Sequence, residues 1–376
     1  MAAYRSTVPR TVGRAVNVLG QQLTRTEVLA RVGDISQLGG PVPGVLTEGM
    51  ANGVRTIDVR SPGGLSFVVI ADRGLDIGRA EYLGVPLAWR SPVGEVSPAF
   101  ADQHGLGWLD VFGGGLLTTC GLSAVGQPSQ DAGQRLGLHG RISTAPAHAV
   151  RAFGEWLEDE YQITIEGCVR EASALGPVLE MRRRITTSLG QPQLRVEDVV
   201  TNLGATATPH MFRYHCNFGY PLICEDTRIA LDAQAVEPRD VPSAEAIGRL
   251  EDIWTPSRPS AEHVYTVDPT CDGHQATATL TNHTLAGGLA VSLRWSADTM
   301  PWLVVWKQLS RGSYVTALEP SNCHDDGRAA ERRRGTLVEL APGEQRRYWL
   351  DITVNPAALA GPQTRSQTVE GTDNGK

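Results

Sequence analysis

Glycine and proline interrupt this chain too often for it to build long helices. Together they make about a sixth of its 376 residues, with 41 Gly and 23 Pro, and both are poor in helix interiors. Between the breaks the readable periodicity is two, the pattern of a half-buried strand. Residues 276–280 alternate small and β-branched side chains, then Asn282-His283 and Gly287-Gly288 precede a second alternating run over 289–295. That is a hairpin signature. Further strands are expected over 66–71, 161–169, 179–187, 194–202, 302–309, 314–319, 335–340 and 346–354. Pro342-Gly343-Glu344 makes the tight turn between the last two. Helices are expected only over 26–32, with Thr26 as cap, and as one turn over 107–112. The fold class is therefore all-β, a large antiparallel β-sandwich with few short helices.

No internal repeat or boundary divides the chain, so residues 1–355 are expected to form a single domain, long for one unit but within the range of large sandwiches. The first dozen residues are expected to be loose. The segment 356–376, polar and rich in Gly, Thr, Gln and Asn, is expected to be a disordered tail.

Composition narrows the function classes. A net charge of −7 argues against nucleic-acid binding, which calls for a basic face. The local clusters Arg182-Arg183-Arg184 and Arg332-Arg333-Arg334 read as solvated faces or turns. The first fourteen residues lack an apolar core, so no secretory leader is expected, and no apolar run reaches membrane-spanning length. Six cysteines without a CxxC pair read as reduced thiols in a cytoplasmic protein, and structural zinc is not expected. Phosphate-loop, dinucleotide and nucleophile-elbow signatures do not occur.

Three stretches concentrate acid–base chemistry: Leu138-His139-Gly140-Arg141, Tyr214-His215-Cys216-Asn217-Phe218 and Leu318-Glu319-Pro320-Ser321-Asn322. His139 is flanked by glycine, which lets the backbone approach closely; its plain reading is a hydrogen-bonded loop histidine. His215 lies in an aromatic, β-prone run, where a satisfied core histidine is the default. Glu319 follows an apolar strand and precedes Pro320, which is expected to end regular pairing there. A partly desolvated carboxylate gains proton affinity, toward the range of a general base. The three residues are 76 and 104 positions apart, so only a folded sheet can unite them.

In that order, Leu-His-Gly, a His-containing aromatic strand with Asn-Phe after it, and Leu-Glu-Pro resemble the aldose 1-epimerase (galactose mutarotase) superfamily. Val196 to Asn202, Pro209, and Leu340-Ala341-Pro342-Gly343-Glu344 followed by Tyr348 extend the likeness. Ala71-Asp72-Arg73-Gly74-Leu75-Asp76-Ile77 and Leu116 to Leu122 resemble a divergent, poorly characterised branch of it, the DUF4432-like proteins. The resemblance covers about residues 50–355 and implies the galactose mutarotase-like supersandwich. It also implies a cofactor-free, metal-free isomerase acting on a small-molecule sugar. Glu319 would be the base at the anomeric hydroxyl, His215 the acid at the ring oxygen, and His139 a supporting hydrogen-bond group. Candidates for sugar contacts are Arg73, Asp76, Arg141, Asn217, Trp306 and Lys307. Asp72, Arg73 and Asp76 also fit a structural role, an Asp–Arg pair bracing a turn, and a core role also fits Trp306.

The sequence departs from the better-known mutarotases. Gly113 to Leu122 replaces their arginine-bearing stretch before the first histidine, and Arg141-Ile142-Ser143 follows Leu-His-Gly in place of glycines. Galactose or glucose specificity therefore does not follow. Two rival readings remain on the same residues. One is an epimerase, isomerase or lyase acting beside the carbonyl of a keto-sugar or uronate; the other is a non-catalytic sugar-binding protein. His324-Asp325-Asp326 suggests a metal with Glu319, but its spacing fits no standard site. His210 is expected to be structural, pointing away from His215 across the strand. A homo-oligomer is compatible with all of this.

Overall fold

A computed structural model describes residues 15–257 and 261–357. The expected loose N-terminus and all but residues 356 and 357 of the expected tail lie outside the described residues. Antiparallel ladders dominate. The eight-stranded sheet grows by hairpins from His148–Leu157 through Glu160–Ala172 and Val178–Ser188 to Gln193–Asn202. It continues through Gln345–Pro356, Leu289–Ser296, Gln275–Asn282 and Thr227–Leu231. A second sheet runs Ala233–Pro238, His263–Pro269, Trp302–Ser310, Ser313–Ser321, Thr208–Gly219, Val338–Leu340, with Thr118–Leu122 also paired to Thr208–Gly219. Five strands between Gly40 and Pro86 form a third sheet.

Alternation explains the layering. Ile163, Ile165, Ile185, Val196, Leu293 and Leu350 from the eight-stranded sheet pack with Phe212, Tyr214, Val305 and Leu318 of the second, and with Val59, Phe67 and Ile77 of the third. One apolar cluster thus runs through all three sheets, the large β-sandwich that the strand periodicity implied. No helix among the described residues is long and apolar enough to cross a membrane.

Several local expectations are corrected. The first helix is Arg25–Leu29, capped by Thr24 rather than Thr26, because Thr24 and Glu27 form a reciprocal capping box. The turn at Gly107–Val111 is a 3-10 helix. The helix Arg328–Arg334 was not anticipated. Gly335, at φ 78°, closes it in the left-handed region and delays the following strand to Val338–Leu340. Its arginines Arg332, Arg333 and Arg334 do lie on an exposed face, where Arg332 pairs with Asp131 and Glu339 and Arg334 with Asp326. In the other cluster Arg183 departs from the expectation, buried against Asp198 and Asp76.

Pro320 does not end its strand, which runs on to Ser321 with Pro320 opposite Leu303. On its other side the ladder to Thr208–Gly219 pairs Arg213 with Ser321 and resumes at Cys216 with Leu318. The missing N–H of Pro320 thus falls in a gap where no ladder bond is made.

Candidate active site

The strand Thr208–Gly219 carries the site. It is flanked by Thr118–Leu122 and Ser313–Ser321 and is buried almost throughout. Phe212, Tyr214, Cys216 and Phe218 point into the main core, so Arg213, His215 and Asn217 share the opposite face. There a second apolar cluster, with Trp108, Phe112, Leu138 and Met211, surrounds them. The register that pairs Arg213 with Ser321 and Cys216 with Leu318 sets His215 across from Glu319. Cross-strand neighbours on one face can touch, and His215 Nε2 lies 3.2 Å from Glu319 Oε1.

His139 reaches the same place from a loop. Its φ is 55°, and Gly140 follows at 74°. A side chain on Gly140 would overlap the carbonyl oxygens of Ala124 and Gly121, so the Leu-His-Gly spelling has a steric cause. The Gly126 N–H donates to His139 Nδ1 at 3.4 Å, which leaves the proton of a neutral ring on Nε2. The His139 ring centroid is 4.7 Å from Trp108 and 5.7 Å from His215.

Arg213, 1% exposed, ties the carboxylates together. Its Nη1 lies 2.6 Å from Asp325 Oδ1 and 3.2 Å from Glu319 Oε2; Nη2 donates to the His324 carbonyl and Nε to Ser321 Oγ. Asp325 Oδ2 also meets Arg239 Nη1 at 3.3 Å. Arg239 in turn pairs with Asp240 and with Glu262, whose other oxygen accepts from Trp306 Nε1 at 3.1 Å.

Charge divides unevenly over this network. Burial works against ionising Asp325, but Arg213 foremost, with His139 and Arg239, holds its carboxyl below the ordinary value. Burial pushes Glu319 up to about 8, since the more distant Arg213, already matched by Asp325, offsets only part of it. Burial lowers His139 to about 4, against the pull of Asp325. Burial, then His139 and Arg213, hold His215 well below 6.5. Near neutral pH the His215–Glu319 pair therefore carries one proton between them.

The cleft over this pair encloses about 250 Å³. Trp108 and Phe112, stacked at 4.2 Å, form one wall, and Trp306, 5.5 Å from the His215 ring, forms another. A roomier groove of about 500 Å³ over the five-stranded sheet, lined by Asp58, Arg60, Arg79 and Glu81, has no histidine beside its carboxylates.

Of the residues singled out from sequence, Glu319, His215, His139 and Trp306 line the cleft. Asn217 stands on the His215 face, but its amide donates to the Gly115 and His215 carbonyls. Arg141 is turned toward Glu171 at 3.7 Å. The other three are held elsewhere. Arg73 donates to the carbonyls of Ser143, Val96 and Val111. Asp76 accepts from Thr119 and pairs with buried Arg183 at 3.0 Å. Lys307, adjacent to Trp306 and so on the other strand face, donates to the carbonyls of Arg249, Leu250 and Asp252. The turn-bracing partner of Asp72 is Arg55, not Arg73. His324 turns to Glu331 at 2.9 Å, away from Glu319, and His210 bonds the Leu122 carbonyl and Tyr348 Oη. Arg213, Arg239, Glu262, Trp108 and Phe112 were missed, and Asp325 was weighed only within a metal cluster. Of the five missed, only Arg213 left a signal, two residues before His215 and hence on its face.

The fold is that of a galactose mutarotase-like protein. Residues 51–354 match the family described as a domain of unknown function (DUF4432), and the chain belongs to that branch of the aldose 1-epimerase superfamily. A proposed aldose 1-epimerase from Klebsiella pneumoniae is 26% identical, with a TM-score of 0.79 over 92% of this chain and 93% of that one. A galactose mutarotase-like protein from Clostridium acetobutylicum gives 14% and 0.57 over 85% and 99%. A galactose 1-epimerase from Lactobacillus acidophilus gives 12% and 0.54 over 84% and 99%. These last two likenesses are of fold alone. No curated protein matches the chain.

Proposed function

We propose that this protein interconverts the anomers of an aldose. The observation that carries the reading is the buried His215–Glu319 contact of 3.2 Å on the floor of an aromatic cleft. Ring opening needs one group to take the proton of the anomeric hydroxyl while another protonates the ring oxygen. The two sugar oxygens are bonded to the same carbon, so side-by-side acid and base groups suit them. As the C1–O5 bond breaks, C1–O1 becomes the aldehyde carbonyl. Rotation about C1–C2 and closure by the reverse transfers give the other anomer and restore the pair. No redox step or external reactant enters.

The resting proton sits on Glu319. For Glu319 to act first as base, that proton passes to His215 across their contact, giving a carboxylate held by Arg213 and an imidazolium ready to donate. The opposite order uses the same two groups and closes the same cycle. His139, neutral with its Nε2 proton, supplies a hydrogen bond to a sugar oxygen. The aromatic walls stack on the C–H faces of the ring and exclude water.

Exchange NMR tests the reading directly, across neutral aldoses, deoxy sugars and uronates. Accelerated transfer between anomer signals is expected for at least one sugar. Deuterium uptake at a carbon-bound position without anomer exchange would replace this reading with chemistry beside a carbonyl.

A pH profile follows from the shared proton. Loss of that proton leaves no acid, and gain of a second leaves no base. The kcat/KM is expected to hold level through pH 6.5 and fall about tenfold per unit above about 8, where Glu319 loses its proton. A decline already centred at the ordinary histidine value of 6.5 would mean that the two residues titrate separately.

A further inference from the structure

Every charged group around the cleft is already matched, and few polar groups are left to receive a sugar. Arg213 is bonded to Glu319, Asp325, Ser321 and the His324 carbonyl. Arg239 is bonded to Asp240, Asp325 and Glu262. Neither guanidinium offers an unbalanced charge to a carboxylate or phosphate, and Glu262 stands at the mouth, its side chain 47% exposed. Outside the His215–Glu319 pair, the lining side chains with a polar group lacking a partner among the described residues are Gln127, through its carboxamide, and His139, through Nε2. The remaining wall is apolar, formed by Leu106, Trp108, Leu109, Phe112, Val304 and Trp306. Leu106 and Leu109 carry this character out to the surface, at 57% and 48% exposure.

An aldohexopyranose has four hydroxyls besides the anomeric one, each a donor and an acceptor. With the ring oxygen and anomeric hydroxyl on the acid–base pair, Gln127, His139 and the Glu262 carboxylate can serve about two or three of them. A hydroxyl pressed on the Trp, Leu or Val surface loses water and gains nothing, a loss worth a factor of roughly ten or more. A methyl or other apolar substituent at that position is favoured instead.

Resting on the anomer reading above, we infer that the cleft selects an uncharged, hydroxyl-poor sugar: a deoxy sugar, with its apolar edge against the Leu106–Phe112 wall and Val304. The match is between a short set of free polar groups at one end and a continuous apolar surface at the other.

The test compares matched pairs on the unmodified protein: D-galactose with D-fucose, D-glucose with 6-deoxy-D-glucose, and L-mannose with L-rhamnose. Anomer exchange is read by NMR and binding by calorimetry. At least one deoxy member is expected to exceed its parent by tenfold or more in kcat/KM. Parents that match or exceed every deoxy partner in both exchange and binding overturn the substrate class and leave the anomer reading standing. Tenfold tighter binding of a deoxy sugar with no exchange of either member supports the substrate class and removes the anomer reading. Binding and exchange of none of the six overturn the inference.

Discussion

Glu319→Gln is expected to lower kcat by about a hundred- to ten-thousandfold, the usual worth of a positioned acid–base group, with KM changed less than severalfold. Glutamine preserves the shape, and its amide oxygen can still accept from Arg213. It cannot hold or release the proton shared with His215. With the pair's charge change abolished, His215 alone must both take and give, which a single site cannot do in one pass. Binding is mostly a matter of the walls and mouth, so the loss belongs to kcat. Polarimetry on a sugar active with the parent measures it, and a variant that keeps the parent's kcat would remove Glu319 from the chemistry.

The same variant carries its own control for folding. The folded Glu319 carboxyl is raised to about 8 from an ordinary 4.5, so it holds its proton over a range where the unfolded chain has released it. Its contribution to stability is complete below pH 4.5 and is lost as pH rises toward 8, by up to about 1.4 kcal/mol per unit. Glutamine has no such dependence. The parent should therefore lose stability relative to the variant between those two values, and the gap should stop widening above about 8.

Much of the fold was legible because a strand announces itself locally. The period-two runs over 161–169, 179–187, 194–202 and 346–354 became the strands Glu160–Ala172, Val178–Ser188, Gln193–Asn202 and Gln345–Pro356, each longer than its expectation. Apolar alternation fades at strand ends while the ladder continues, hence the shortfall. His139, His215 and Glu319 were found through compact motifs; adjacent strands bring His215 to Glu319, and His139 joins them from a loop. The charge network was hidden for a different reason. Arg213 and Arg239 meet Asp325 across 112 and 86 positions along the chain, and no periodicity encodes which arginine faces which carboxylate. Lys307 and Arg73 show the converse. A cation beside a tryptophan or in an Asp-rich turn resembles a sugar contact, yet both were drawn inward by backbone carbonyls at loop ends. The departure noted before the first histidine also has a structural counterpart. An arginine does stand in the cleft, but on the histidine strand and engaged by two carboxyls.

Arg213→Met is expected to destabilise the protein by about 3–5 kcal/mol, the range for removing one member of a buried ion pair. The methionine fits the volume of the guanidinium stem but leaves Asp325 with Arg239 alone and strips the bonds to Ser321 and the His324 carbonyl. Glu319 loses the cation bonded to Oε2, so its proton affinity must rise further. The alkaline fall in kcat/KM should move upward with it, which separates a charge effect from general loosening. Arg213→Met combined with Asp325→Asn removes both sides of the pair. It should recover a good part of the lost stability, because the orphaned carboxylate is gone while Arg239 keeps Asp240 and Glu262. Urea unfolding of the two variants and the parent measures the cycle. A single variant within about 1 kcal/mol of the parent would mean that water already serves this network. The double variant failing to recover would place the loss in the bonds to Ser321 and His324 rather than in the charge. The expected outcome is the large single loss and the partial rescue, since Asp325 is buried and held ionised chiefly by Arg213.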